Sequence, residues 1–359
     1  MNKAAIFSVF ERERHGIARY PIEEARSMQS EGWEVQLVGL TRESGGIRNF
    51  DLRVPRDCLA FLAFILSNRW ERISFHFYHG FVFPYLGKIG EVWKNVVRLL
   101  QFLSLMALGV RNPESTVIIH EIPLGKVVAG FRRLLFGYSL ARFKRVEVFT
   151  PAVRERLLNT FPMLVAERVV VVDHGRHMKP LFHGSREEAR MLLGIEQSGI
   201  MFLCIGFWGP QKGFDAAIRA IRKLSAPLGT LWIVGSLNGD SEDLVRHRNL
   251  LMGLSTGADS VKLVERYIPD EEFDAWIKAA NAVVLPYRGV LNSSVGARAA
   301  IAGTPLWISD LPELISQFPG ATVFHGEEGL SRLFMGCCAS TANQQHVHVP
   351  RASGHPGTV

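Results

Sequence analysis

The chain has 359 residues, of which 47% are hydrophobic and 21% charged, which excludes an intrinsically disordered composition and allows two domains with separate cores. A net charge of +7 and a pI near 9.4 favour an anionic partner, whether a phosphorylated small molecule, an acidic lipid surface or nucleic acid. No apolar run reaches the roughly 18 residues that a spanning helix needs, and the four cysteines (Cys58, Cys204, Cys337 and Cys338) lack CxxC or Cys/His zinc spacing.

The first residues, MNKAAIFSVFERERHG, hold too short an apolar run for a signal peptide, and a cytoplasmic protein is expected. Ala4 to Val9 reads as a strand, followed by the charged loop FERERHG, a helix from Ile17 to Gln29 and a second strand from Glu34 to Gly39. One glycine, Gly16, stands where the loop meets the helix, in place of a GxGxxG fingerprint. It is either a turn residue or a point of close backbone approach to a ligand, and Arg14 and Arg19 beside it favour an anion.

Residues 58–110 are apolar and aromatic: CLAFLAFILS reads as a helix, ISFHFY as a strand and Glu91 to Val110 as a helix carrying Lys94 and Arg98. This is either ordinary core with one covered helix or a surface that rests on the headgroup layer of an anionic membrane. Thr116 to His120 is a strand whose carboxyl end bears His120-Glu121-Ile122-Pro123, the end at which α/β sheets bind ligands. His120 there is a structural residue or a hydrogen-bonding partner for a sugar hydroxyl or phosphate. Val146 to Thr150, a proline-opened helix from Pro151, and Arg168 to Asp173 complete a first half spanning 1–178.

A polar linker covers 179–198, and the alternation of apolar strands with amphipathic helices then resumes from 199 to 330. Such alternation indicates parallel sheets covered on both faces, so the fold class is α/β with two doubly wound domains facing a central cleft. Residues 331–359 are rich in Pro, Gly, Ser and His, and a poorly ordered tail is expected; His346, His348 and His355 have no fixed-spacing partners for a metal.

The stretch PYRGVLNSSVGARAAIAGTP joins the strand Ala282 to Leu285 to a helix starting at Ser293 or Ser294. The first turn of a helix leaves N–H groups unpaired at the positive end of the dipole, so this junction is suited to a diphosphate; the two serines equally serve as plain helix caps. In FLCIGFWGPQKGFDAAIRAI, Lys212-Gly213 falls between a strand and the next helix, where a lysine reaches a phosphate or stands exposed at a turn.

Together with LWIVG, VERYIPDEEFDAWIKAANAVVLPYR, NSS, AGTP and SDLPEL in this order, these motifs resemble the C-terminal domain of the retaining GT-B glycosyltransferases of family 4, the group 1 glycosyltransferases. The resemblance covers roughly Gly199 to Leu330 well and the first half more weakly, through GIARYPIEEARSMQSEGWEVQLVG, VIIHEIP, VFTPAVRERL and VVDHG. It implies a GT-B-like pair of Rossmann-like domains, a nucleotide-diphosphate sugar held mainly by the second and an acceptor by the first. Carried onto this chain, it implies that Lys212 pairs with the donor phosphates, with Gly213 beside it. Asn292, Ser293 and Ser294 form the helix start under the diphosphate, and Ile268 lies in the backbone that reads the base. Gly16 lets the first-domain loop approach the donor, and His120 lies near the donor sugar.

Two departures stand out: the family's Glu-x7-Glu positions are Val290 and Arg298, and the arginine that often precedes the lysine-glycine pair is Phe207. A subset with PYR and a following serine lacks the second acid, and this chain looks more like that subset. The expected activity is a retaining, metal-independent transfer of a hexose to a glycan or lipid-linked glycan acceptor in cell-surface polysaccharide synthesis, without a cofactor. The competing reading is a non-catalytic GT-B-like module that binds a nucleotide sugar without turnover. A nucleic-acid partner is not expected, because the basic residues form no stripe interleaved with aromatics. A peripheral contact with the inner face of the cell membrane is the one addition to the cytoplasmic location.

Overall fold

A computed structural model describes residues 2–10, 18–41, 48–78, 91–120, 131–224 and 229–345. The chain divides into two compact units. The first comprises residues up to Leu181 together with Gly289–Ala302 and Leu311–Gly320; the second comprises Phe182–Arg288, Gly303–Asp310 and the chain from Ala321 on. Both returning segments lie inside the 199–330 span expected as one domain.

The first unit is built on seven parallel strands, β1 (Lys3–Ser8), β2 (Glu34–Gly39), β3 (Arg48–Asn49), β4 (Arg72–Phe77), β5 (Glu114–Ile119), β6 (Arg145–Val148) and β7 (Val169–Val171), in the order β3-β2-β1-β4-β5-β6-β7. Among the described residues its helices include α1 (Arg19–Ser30), α2 (Pro55–Ser67), α3 (Glu91–Arg111), α4 (Phe131–Leu140) and α5 (Pro151–Thr160). The two-residue period of β1 shows how one strand serves two layers. Ala4 and Ile6 join Ala25 and Met28 of α1, while Ala5 and Phe7 enter the larger core with Phe61 and Phe64 of α2 and Phe75 of β4. Phe7 meets Phe61 and Trp70 edge to face at 5.9 and 5.5 Å between ring centroids. Thr150 caps α5 by accepting from the Val153 amide, and Pro151 occupies the first turn as expected.

The second unit carries α6 (Arg186–Leu192) and six parallel strands, β8 (Ile200–Ile205), β9 (Gly229–Gly235), β10 (Val261–Glu265), β11 (Ala282–Leu285), β12 (Leu306–Ser309) and β13 (Thr322–Phe324), ordered β10-β9-β8-β11-β12-β13. All six residues of β8 are buried, as a central strand covered on both faces requires. Helix α7 (Phe214–Arg222) buries Phe214, Ala217, Ile218 and Ile221, one stripe at helical spacing. Helices α8 (Glu242–Ser255) and α9 (Asp270–Ala279) follow β9 and β10.

Helix α10 (Ser294–Ile301) and helix α11 (Pro312–Gln317) connect strands of the second sheet but belong to the first unit. Leu291 packs on the large first-unit core, and Arg156 of α5 pairs with Glu313 of α11 at 3.2 Å. The stretch expected to be poorly ordered from 331 begins instead within a helix, α12 (Gly326–Gln345). Its Phe334 is fully buried against Phe202 of β8 and Trp307 of β12, at 4.6 and 5.8 Å between centroids. Leu330 and Phe334, both buried, and Ser331, whose hydroxyl donates to the Ala220 carbonyl at 2.8 Å, seat the start of the helix. Residues 346–359, with the three tail histidines, lie outside the described residues.

In each sheet the strand order reverses once, between β1 and β4 in the first unit and between β8 and β11 in the second. A crevice opens where the connections diverge to opposite faces, and ligands of open α/β sheets bind there at the carboxyl ends of the strands.

Candidate functional site

In the second unit the loops leaving β8 and β11 flank its reversal point and are locked together. Residues Pro210–Lys212 form one turn of 3-10 helix, and Gly213 ends it in the left-handed conformation, with φ of 64°. A Cβ on Gly213 would fall well inside van der Waals contact with the Pro286 carbonyl oxygen, so only glycine allows the two backbones to approach this closely. Next to this contact the Lys212 Nζ stands 4.0 Å from the centre of the Tyr287 ring, a cation–π pair. The Arg288 amide donates to the Gln211 carbonyl at 2.9 Å, and its guanidinium donates to the Pro210 carbonyl at 2.8 Å and to Asp215 Oδ2 at 2.6 Å. Burial pushes the Asp215 carboxyl upward, but Arg288 and Arg219 outweigh it and hold the group below the usual carboxylate range. The resulting cradle has one cation, Lys212, held by a ring face and not by a carboxylate among the contacts described.

The carboxyl end of β9 follows the same rule. Gly235, with φ of 143°, lies so close to the Gly206 carbonyl that a Cβ would overlap it, and Trp208 is buried alongside. Ile268, in the loop after β10, is buried, and the Arg266 amide ties the start of that loop to the Gly235 carbonyl at 2.8 Å.

The first unit places a different kind of cluster at the carboxyl ends of β4 to β7. His76 lies in β4, His120 directly follows β5, Phe149 follows β6 and His174 follows β7, so four adjacent strands contribute one ring each. Tyr20 of α1 sits over them, with ring centroids 5.4–5.7 Å from His76, His120, Phe149 and His174. His76 Nε2 is 2.8 Å from Glu24 Oε2, the Ser74 hydroxyl donates to Glu24 Oε1 at 2.7 Å, and His76 Nδ1 is 3.0 Å from His120 Nε2. Glu24, His76 and His120 are 2%, 1% and 3% exposed, yet His120 Nδ1 has no hydrogen-bond partner among the described residues.

The charge states follow from that burial. Desolvation alone would raise the Glu24 pKa, but hydrogen bonds from His76 and Ser74 and the charge of His76 hold it at about 2. Burial, then His76 and His174, keep His120 neutral well below its ordinary range, and burial lowers His174 to about 4. At the rim, Arg176 donates to both oxygens of Glu147, at 3.1 and 2.5 Å, and its Nε lies 2.9 Å from His177 Nε2.

The junction before α10 belongs to this same unit. The Asn292 amide nitrogen donates to the His120 carbonyl at 3.1 Å. Ser293 caps α10 by accepting from the Gly296 amide at 3.2 Å, while Gln317 accepts from its amide at 2.7 Å and donates to its carbonyl at 3.3 Å. Ser294 opens the helix. The structure thus joins two of the expected residues, His120 and Asn292, which are 172 positions apart in the chain.

Of the remaining expected residues, Lys212, Gly213 and Ile268 lie in the second unit, and Gly16 lies outside the described residues. Val290 is half-buried and Arg298 is buried in α10. Sequence reasoning passed over Glu24, His76, Tyr20, His174 and the bridging Arg288. A signal was present in three of them: His76 inside the apolar strand ISFHF, and Tyr20 and Glu24 at i, i+4 on one helix face. Among the described residues no helix is long and apolar enough to cross a membrane, and no group of three His, Cys, Asp or Glu side chains is arranged to hold a metal.

No family model matches the chain. Over 145 residues it is 30% identical to D-inositol 3-phosphate glycosyltransferase 1 of Catenulispora acidiphila, a match covering 39% of this chain and 35% of that protein. The chain is thus matched to about a third of the length of such curated relatives. Among solved structures, Anabaena HepE in complex with UDP and glucose aligns with a TM-score of 0.70 at 13% identity, over 95% of this chain and 91% of that one. Sucrose-phosphate synthase from Thermosynechococcus elongatus aligns with a TM-score of 0.68 at 16% identity, over 95% and 91%. At such identities the structural likeness speaks for the fold: two Rossmann-like parallel-sheet units of the GT-B kind, in a chain whose sequence resembles the group 1 glycosyltransferases of family 4.

Proposed function

We propose that the protein is a glycosyltransferase that moves a hexose from a nucleotide-diphosphate sugar to a glycan or lipid-linked glycan acceptor, with retention and without a metal, in cell-surface polysaccharide synthesis. One observation carries this reading: the cradle at the β8/β11 reversal, where Gly213 lets the backbone close in and Lys212 is held over Tyr287. In transfer the bond from the anomeric carbon to the diphosphate oxygen breaks, leaving positive charge on the sugar and negative charge on the departing group. Lys212 offsets that negative charge, and the positive end of the α10 dipole, where Ser293 caps the helix and Ser294 opens it, offers a second source of positive potential. Ile268 contributes backbone to the base, Asn292 holds the His120 backbone, and His120 meets the sugar. The name of the Catenulispora relative and the UDP and glucose in the Anabaena structure support a nucleotide-sugar donor.

Thermal-shift screening against nucleotide sugars identifies the donor, because a ligand that prefers the folded state raises its melting temperature. With that donor, Lys212→Ala is expected to abolish most turnover; unchanged turnover would sink the role given to Lys212. Val290 and Arg298 at the usual acidic positions favour the alternative of a binding module, which nucleotide binding without turnover across donors and acceptors would establish.

The proposal extends to an anionic membrane surface. Helix α3 packs between α2 and α4, burying Val97, Leu100 and Leu105, while Val92, Trp93, Leu99, Leu103 and Val110 are exposed, with Lys94 and Arg98 half-buried among them. An apolar face edged with cations is suited to the headgroup layer.

A further inference from the structure

We infer that Asp215 and Arg288 are positioning residues for Lys212, and that the row of ion pairs they open runs through Arg219 to Glu327 in the first turn of α12, so that this helix helps to hold the cation that meets the donor diphosphate. The inference rests on the proposed role of Lys212, and it adds what keeps that side chain in place.

The turn that carries Lys212 has little packing of its own. Pro210 and Gln211 are exposed, Lys212 is half-buried, and Pro210 has no N–H to give. Hydrogen bonds from outside the turn therefore decide its geometry. Arg288 supplies two of them: its amide donates to the Gln211 carbonyl at 2.9 Å and its guanidinium to the Pro210 carbonyl at 2.8 Å. The contact of Gly213 with the Pro286 carbonyl fixes the chain after Lys212, and Arg288 fixes it before.

A long side chain keeps one position only when its head group is engaged, because several rotatable bonds must be held at once. The Arg288 side chain is 46% exposed, and its head is engaged by Asp215, whose side chain is 3% exposed and whose Oδ2 accepts from it at 2.6 Å. Arg219, one turn further along α7, donates to the same oxygen. Two guanidiniums on one oxygen repel each other, and the repulsion is relieved on the Arg219 side. There Arg219 Nε donates to Glu327 Oε1 at 2.8 Å, and Lys223 Nζ lies 3.6 Å from Glu327 Oε2. Charge thus alternates in sign from Arg288 to Lys223. Ser331 of α12 bonds to the Ala220 carbonyl of α7, which fixes Glu327 against the helix that bears Asp215 and Arg219. His247 of α8 also faces Asp215 and Arg288, but burial lowers its pKa, so near neutral pH it adds no further cation.

Asp215 also lies in the first turn of α7, where a negative charge stabilises any helix through its dipole. That role needs neither Arg288 nor Lys212. The two readings part at the Lys212 side chain, which a helix-stabilising acid leaves where it is and a positioning residue does not.

The test reads Lys212 without a donor. Because Nζ stands over the face of Tyr287, ring current shields the methylene beside it, and in full-length protein labelled with 13C-lysine the Lys212 ε-methylene signals are expected upfield of the ordinary lysine position. Lys212→Ala identifies them. Arg288→Ala and Asp215→Asn are each expected to return these signals toward the ordinary position, and Glu327→Gln to move them less. Signals left unmoved by both Arg288→Ala and Asp215→Asn overturn the inference. Should either variant fail to fold, Arg288→Lys, which keeps the charge but replaces the fork by a single ammonium, takes its place with the same expected outcome. With the matched donor, Arg288→Ala is expected to lower kcat about tenfold, and to cost nothing further when Lys212 is already alanine. A loss that persists in full beside Lys212→Ala overturns the inference, since Arg288 would then act on the donor itself or on the fold at large. Displaced Lys212 signals in Arg288→Ala together with full turnover in Lys212→Ala would leave the support in place and remove instead the role of Lys212 in transfer.

Discussion

The two units hold their candidate residues by opposite means. In the second, Lys212 is placed by backbone: a left-handed glycine pressed on the Pro286 carbonyl, a second glycine pressed on Gly206, and Arg288 bonded to the neighbouring loop. In the first, His120 is placed by buried polar side chains, with Glu24, Ser74 and His76 in one row. Backbone closure is sensitive to a single methyl group and indifferent to pH. A row of buried ionisable groups tolerates shape changes but depends on protonation. The comparison therefore predicts that sterics break one unit and acid breaks the other.

The largest effect is expected from Gly213→Ala, which combines a positive φ with overlap on a carbonyl oxygen. It should cost about 3 kcal/mol or more of unfolding free energy, read from urea denaturation. Gly32→Ala, at φ of 88° but with open space around it, isolates the conformational part and should cost about 1 kcal/mol. Equal losses at the two positions would mean that the Pro286 contact yields freely.

Next comes Lys212→Ala, expected to lower turnover of the matched donor on the order of 10²-fold while leaving stability within about 0.5 kcal/mol. A loss of stability in place of activity would make Lys212 a loop anchor through Tyr287.

Acid should act through the first unit. His174 has a folded pKa of about 4 against an ordinary 6.5, so below 6.5 the unfolded chain binds a proton that the folded one refuses. Stability is therefore unaffected above that pH and falls as pH drops toward 4, on the order of 3 kcal/mol from this residue. His120 acts in the same direction. Glu24, held at about 2 against 4.5, contributes stability above 4.5 that is lost as pH falls through 2. His174→Gln should flatten the curve between 6.5 and 4 in denaturation experiments across pH; an unchanged slope would show that this ring already reaches water. His247 in the second unit is lowered too, but is less enclosed, which makes it the internal control.

The smallest effect is expected at the membrane. Leu99→Glu with Leu103→Glu should reduce co-sedimentation with anionic vesicles several-fold without altering solution turnover, since both side chains already face outward. Equal co-sedimentation would remove the proposed contact.

How far each part was legible follows from the range of the interactions involved. Strand β8 and helix α7 were readable because six apolar residues and a 3.6-period stripe are local patterns, and the Lys212-Gly213 turn sits where one gives way to the other. Ser293 as a helix cap was readable for the same reason. The row of Glu24, His76 and His120 was not, because its members are 52 and 44 positions apart and meet only when helix α1 packs by the paired strands β4 and β5. The seating of α12 was missed because Phe334 meets two strands that precede it by over 100 and by 27 positions, and Ser331 bonds to Ala220, 111 positions before it.

From its sequence alone this protein is two parallel-sheet units with a lysine-glycine turn and a serine-capped helix at strand ends, because apolar period, glycine and caps act within a few residues of themselves. Only the tertiary structure decided that α10 joins the first unit, that Asn292 holds His120, and that a carboxylate and two imidazoles share one buried row. A parallel sheet brings neighbours together through long crossovers, and no local pattern records which polar side chains will be left facing each other once water is gone.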